Sequence, residues 1–120
     1  MPGPVGVIEK LLENGADVEA PNGDGMTAMH AQVMDGGDAY SVRTLLGWKA
    51  DVNAQCNKGN TPLHYATAAG NVEVVNILIA HGADLGKVNK KGLNPLATAK
   101  DSIFGSAVVA ILEKATLAKS

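Results

Sequence analysis

The chain has 120 residues, 46% of them hydrophobic, and a formal net charge of −2 at pH 7. That length suits one modest domain, and the apolar content is enough to bury a core, so composition excludes a disordered chain. The single cysteine, Cys56, excludes an intrachain disulfide and a cysteine-based metal site, and the weak negative charge argues against nucleic acid, whose phosphates need clustered cations. No apolar run reaches the ~18 residues of a membrane helix, and the N-terminus lacks the basic start and apolar stretch of a signal peptide. The expectation is a soluble protein of the cytoplasm or nucleus that makes no membrane contact. Charge is uneven: residues 1–60 carry four basic and eight acidic side chains, residues 61–120 six and four, so −4 faces +2.

Val7, Ile8, Leu11 and Leu12 fall on one helical face and lead into Asn14-Gly15-Ala16-Asp17, which predicts a helix over 5–14. Met1-Pro2-Gly3-Pro4 cannot supply a packed helix ahead of it, because proline fixes φ and removes an N–H. The expectation is a half-repeat cap or a piece cut from a longer array. Thr27 predicts the N-cap of a helix over 27–34, and Asp38 that of a second over 38–48, with Val42, Leu45 and Leu46 turned inward. Thr61 followed by Pro62 predicts a sharp helix start, since the missing N–H of a first-position proline costs nothing. Gly70 ends that helix and Asn71 caps the next. Its Val72, Val74, Val75, Ile77, Leu78 and Ile79 are too densely apolar for a one-faced helix and predict packing on two sides. Asn94-Pro95-Leu96 opens another helix, and Val108, Val109, Ile111 and Leu112 continue a last one before polar Glu113, Lys114 and Lys119.

These segments repeat. Thr61-Pro62-Leu63-His64 has a counterpart in Thr27-Ala28-Met29-His30, about 34 positions earlier, and in Asn94-Pro95-Leu96-Ala97, about 33 later. Gly15-Ala16-Asp17, Ala50-Asp51-Val52-Asn53-Ala54 and Gly82-Ala83-Asp84 mark the same period. The chain resembles the ankyrin repeat, a β-turn followed by two antiparallel helices, whose signature T-P-L-H-x-A stands here as Thr61 to Ala66. The resemblance implies an all-α solenoid with short β-hairpin turns: one domain over 1–120, with a half-repeat at 1–21, repeats at 22–55 and 56–88, and a capping repeat at 89–120. Departures from the pattern are Ala28-Met29 in place of Pro-Leu, one residue inserted around Asp35-Gly36-Gly37, Ala97 in place of the signature His, and Ile103 in place of the interhelix Gly.

Catalytic constellations are wanting. His30 and His64 hold the same position in stacked repeats, about 10 Å apart, too far to share a zinc at ~2 Å bond lengths. In the family this His links backbone groups between repeats. His81 is expected to satisfy the last carbonyls of its helix, and Asp17, Asp51 and Asp84 to accept turn amides. Gly23-Asp24-Gly25 and Gly36-Gly37 lack the rest of any phosphate-binding motif, and Cys56 has no base built in beside it. The sequence therefore implies no enzyme, no cofactor and no metal.

The resemblance implies a binding surface instead, formed by hairpin tips and the exposed side of the inner helices. By register its tip positions include Asp24 and Met26, then Asn57, Lys58 and Asn60, then Lys90, Lys91 and Leu93. Its inner-helix positions include Met34 and Asp35, then Ala68, then Asp101. The groove would run from acidic Asp24 and Asp35 to basic Lys87, Lys90 and Lys91. Met26 and Leu93 are apolar where exposure is expected. Tyr65 is expected between helices, and Trp48, at the end of an outer helix, is a candidate anchor on the convex side. Leu45 and Asp51-Val52-Asn53-Ala54 resemble the pattern on which an asparaginyl hydroxylase acts in ankyrin proteins, which makes Asn53 a candidate hydroxylation site. The implied partner is another protein, folded domain or peptide, bound by a monomer without nucleic acid. Alternatives are a small inhibitor or assembly chaperone that occludes a partner, or the ankyrin segment of a larger enzyme or channel.

Overall fold

A computed structural model describes residue 15 and residues 17–34 and 39–119. The helix expected over 5–14, the Asp35–Asp38 loop and the cap role given to Asp38 lie outside the described residues. Six helices lie among the described residues, in three pairs: α1 Ala28–Met34, α2 Ala39–Gly47, α3 Pro62–Ala69, α4 Val72–Ala80, α5 Pro95–Asp101 and α6 Ser106–Lys119. The inner helices α1, α3 and α5 stack in one row, and α2, α4 and α6 in a second row behind them. No strand is formed among the described residues. The hairpins are turns, closed by backbone bonds from Asn22 N–H to the Met26 carbonyl (2.9 Å), Cys56 to Asn60 (3.0 Å) and Asn89 to Leu93 (3.0 Å).

Local chemistry sets the helix ends. The Thr61 hydroxyl accepts the His64 N–H while the His64 ring accepts the Thr61 N–H at 3.0 Å, a capping box with histidine in the place usually held by Glu. Asn71 and Asn94 cap α4 and α5 by accepting the Val74 and Ala97 N–H groups at 3.1 and 2.8 Å. The His81 ring donates to the Ile77 carbonyl at 2.9 Å, and Asp17, Asp51 and Asp84 each accept the amide two residues on, as their turn positions suggested.

The core is aliphatic. Met29, Val42, Leu45, Leu63, Val74, Leu78, Val108 and Leu112 are fully buried, and Ala66, with no bulk beyond Cβ, lets helices approach closely. Helix α4 packs on α3 and lies between α2 and α6, which is why its apolar residues exceed one face. Leu96, Val109 and Ile111 are only half-buried, because α5 and α6 are gripped from one side. Between α5 and α6 the chain makes its own link. Ser102 hangs on the Ala68 carbonyl at 2.5 Å, while Ile103 and Phe104 stand out at 88% and 64% exposure.

That link fixes Gly70. Its φ of +68° is left-handed, and a Cβ there would run into the Phe104 carbonyl. The conformation alone costs about 1 kcal/mol for alanine, so Gly70→Ala should lose more than ~2 kcal/mol in urea unfolding once the contact is added. A loss of ~1 kcal/mol or less would show that the Phe104 segment yields freely.

Candidate functional site

The inner helices line one face of the stack, which holds a groove of about 460 Å3 between the third and fourth hairpin–helix units. Its geometry begins at the hairpin tips. Lys90 N–H donates to the Lys58 carbonyl at 3.0 Å, and Asn57 N–H to the Asp24 carbonyl at 2.9 Å, so each tip is bonded to the next. Gly59 permits this approach, since a Cβ there would meet Asn89 Cα and Lys90 N at 3.0 Å.

Beneath the tips sit the two histidines. His30 Nδ1 accepts the Thr27 N–H at 3.1 Å, which leaves the proton on Nε2, donated to the Asn60 carbonyl at 2.9 Å. His64 repeats the pattern from Thr61 (3.0 Å) to the Leu93 carbonyl (2.9 Å). Each imidazole thus ties the start of one inner helix to the next hairpin. Burial pushes both pKa values down, against the upward pull of those carbonyls. Tyr65 is half-buried, lies edge-on to the His30 ring at 5.9 Å, and turns its hydroxyl to Asn60 Nδ2 and Cys56 Sγ at 3.3 Å each. Burial pushes the Cys56 thiol up, but hydrogen bonds from Tyr65 and the Lys58 and Asn60 backbone hold it below its ordinary value. The sulfur is nevertheless buried and engaged.

By register the groove has four layers. Lys58, Lys90 and Lys91 form the rim, Asn60 and Leu93 come next, Tyr65 and Thr98 follow, and Ala68 and Asp101 close the far end. Three lysines against one carboxylate give 3 − 1 = +2 with His64 neutral, in a chain whose net charge is −2.

Eight of the residues expected from sequence therefore come together: Asn57, Lys58, Asn60, Ala68, Lys90, Lys91, Leu93 and Asp101. Asp24, Met26 and Met34 belong to the preceding unit and do not line this groove, Asp35 lies outside the described residues, and Trp48, 43% exposed, sits at the end of α2. Met26 and Leu93 are half-buried where full exposure was expected. For Leu93 the reason is visible: its carbonyl accepts from Asn89 and His64 and its amide bonds Asn89 Oδ1, which seats the side chain in the groove. Asn53 is half-buried too. Its Oδ1 accepts the Asp84 N–H at 2.7 Å and its Nδ2 donates to the Gly82 carbonyl at 3.3 Å, so the proposed hydroxylation target is also a staple between units. Glu19 plays the same part for Asp51 N–H at 2.9 Å.

Sequence reasoning missed Asn89 and Thr98 as lining residues, and it gave Tyr65 only to the packing between helices and His64 only to the link between repeats, although both also line the groove. For Asn89 a signal existed. Asn22 and Asn89 hold one register position and each accepts two amides of its own tip, whereas the intervening unit has Cys56 there. Among the described residues no group of three His, Cys, Asp or Glu is placed to hold a metal ion, and no helix is long and apolar enough to cross a membrane.

Residues 3–89 and 35–115 match the family model described as ankyrin repeats (3 copies). Over 97 residues the chain is 38% identical to Alpha-latrotoxin-Lg1a of Latrodectus geometricus, a match covering 78% of this chain and 7% of that protein. It is 35% identical over 108 residues to Palmitoyltransferase AKR1 of Lachancea kluyveri, covering 89% and 14%. It is 45% identical over 64 residues to the 2-5A-dependent ribonuclease of Mus musculus, covering 52% and 9%. The chain thus spans a small part of each relative's length.

Because each buried imidazole accepts from a Thr N–H, protonating it sets two donors face to face. The folded pKa of His30 and of His64 lies below the ordinary 6.5, so their stabilisation is complete above that pH and is lost as pH falls below it. The histidines' contribution to the unfolding free energy should be flat above about pH 7 and drop below it by up to ~1.4 kcal/mol per pH unit for each histidine. His64→Gln should make that slope shallower by one proton; an unchanged slope in urea titrations would show that His64 does not titrate with unfolding.

Proposed function

The chain belongs to the ankyrin-repeat family, and we propose that it is a non-enzymatic binding module that takes another protein into the groove between α3 and α5 and against the hairpin tips. Ankyrin repeats generally mediate protein–protein interaction. The observation that carries the reading here is a division of labour along each unit. Thr27, His30, Thr61 and His64 are consumed in holding one unit to the next, whereas Lys58, Lys90, Lys91 and Asp101 are exposed around a concavity with an apolar floor. A pre-formed groove keeps the ordering cost of binding small. In this reading the chain acts as a monomer of the cytoplasm or nucleus, away from nucleic acid and membrane, and Asn53 is open to hydroxylation when its staple to Asp84 is released.

A second reading, that the module serves inside a larger enzyme, is favoured by the coverage: two of the relatives bear enzyme names and the chain spans 14% and 9% of them.

Ala68→Trp tests the groove. Ala68 is half-buried at the groove's far end, and an indole there fills space a partner would enter. Proteins captured from lysate by the wild-type chain should be lost with the variant, while its melting temperature stays within about 4 °C, the shift expected for ~1 kcal/mol or less. If both capture the same proteins, recognition lies elsewhere, with the face around Trp48 next in line.

A further inference from the structure

The four layers of the groove are unlike one another, and their order has a consequence for the partner. Positive charge is confined to the tip end, where Lys58 and Lys90 sit on hairpins joined by a backbone bond of 3.0 Å and Lys91 follows directly. The one carboxylate, Asp101, is at the opposite end, the last residue of α5. Between them the floor is Leu93 and Tyr65, with Thr98 on the facing helix, and Ala68 lies beside Asp101 at the far end. Helix α5 has seven residues, about 10 Å at ~1.5 Å per residue, and Lys90 and Lys91 stand on the hairpin ahead of its first residue, so the lysine and aspartate ends are at least that far apart. An extended peptide covers that distance in about three residues at ~3.3 Å each.

We propose that the groove takes an extended polypeptide segment of fixed polarity: carboxylates at the tip end, a small apolar side chain over Tyr65 and Leu93, and a cation three or more residues away at Asp101. This rests on reading the groove as a protein-binding site. Charge complementarity selects the occupant. A groove of net +2 in a chain of net −2 attracts anions locally. A nucleic-acid strand fits poorly, because it would carry its negative charge past Asp101 as well as past the lysines. A uniformly acidic peptide meets the same repulsion at the far end, whereas a segment with opposite charges at its two ends satisfies both. Small Ala68 leaves room for the segment where it passes Asp101.

A positional peptide array tests this. Peptides of about eight residues, long enough to overrun the groove at both ends, carry Glu, Leu, Ser or Lys at each position in turn and are probed with the purified chain. The expected pattern is preference for Glu at one end and for Lys three or more positions away. A soluble peptide of the winning sequence should lose about tenfold or more in affinity against Lys90→Glu with Lys91→Glu, with the melting temperature unchanged, and Asp101→Lys should exchange the Lys preference for Glu. An array with no charge preference, or with Lys favoured at the tip end, overturns the polarity. If such peptides are still rejected by Ala68→Trp, the groove reading survives that failure. Binding of a single-stranded oligonucleotide through the same lysines, or of no peptide at all, also overturns the proposal. If in addition Ala68→Trp leaves the captured proteins unchanged, the groove reading falls with it.

Discussion

Each hairpin–helix unit presents an apolar face it cannot bury alone, and the bond that commits it to its neighbour is a buried neutral imidazole. His30 and His64 reach from the first turn of one inner helix to the carbonyl of the next hairpin, 2.9 Å away in both cases. The ring suits the task because its two nitrogens point in divergent directions and, in one tautomer, accept at one edge and donate at the other. Around it every other polar demand is met: among the described residues no buried side-chain nitrogen or oxygen lacks a hydrogen-bond partner. An unpaired ring nitrogen here would cost about 1–3 kcal/mol, so the relay enforces the register of the stack as well as stabilising it.

The same junction is reinforced at two further levels. At the tips, backbone bonds join Asp24 to Asn57 and Lys58 to Lys90, and behind the helices Glu19 and Asn53 accept the amides of Asp51 and Asp84. The tip and imidazole bonds recur at the junctions of the second with the third and the third with the fourth unit, and the rear bonds one junction earlier, so the staples repeat with the period of the sequence. Stapling is what leaves Lys58, Lys90 and Lys91 free of structural duty. Their backbones are held, their side chains are not, and the groove below them exists before any partner arrives.

The fourth unit shows what happens where the relay is interrupted. Ala97 stands in the place of the signature histidine, Leu96 and Ile111 are half-buried, and Ile103 and Phe104 project from a link tied to Ala68.

Much of this was legible in the amino-acid order. Period, caps at Thr61, Asn71 and Asn94, the helix stop at Gly70 and the two-sided burial of α4 all follow from local rules, in which a residue acts on its own chain neighbours. Eight groove residues could be placed by register, because stacking carries a position in one unit to the same position in the next. What the sequence did not show were contacts between units about 30 residues apart: the half-burial of Leu93, the engagement of Asn53 with Asp84, the four-layer order of the groove and its separation of charge between Lys90 and Asp101. Those depend on how close two hairpins approach and on which side-chain atoms then meet, distances set by packing in three dimensions. The sequence by itself determined the unit and its period, since helix capping and apolar periodicity are short-range. Tertiary structure alone decided which side chains are spent on the stack and which are left to a partner, since that is settled by hydrogen bonds that form only once the units lie side by side.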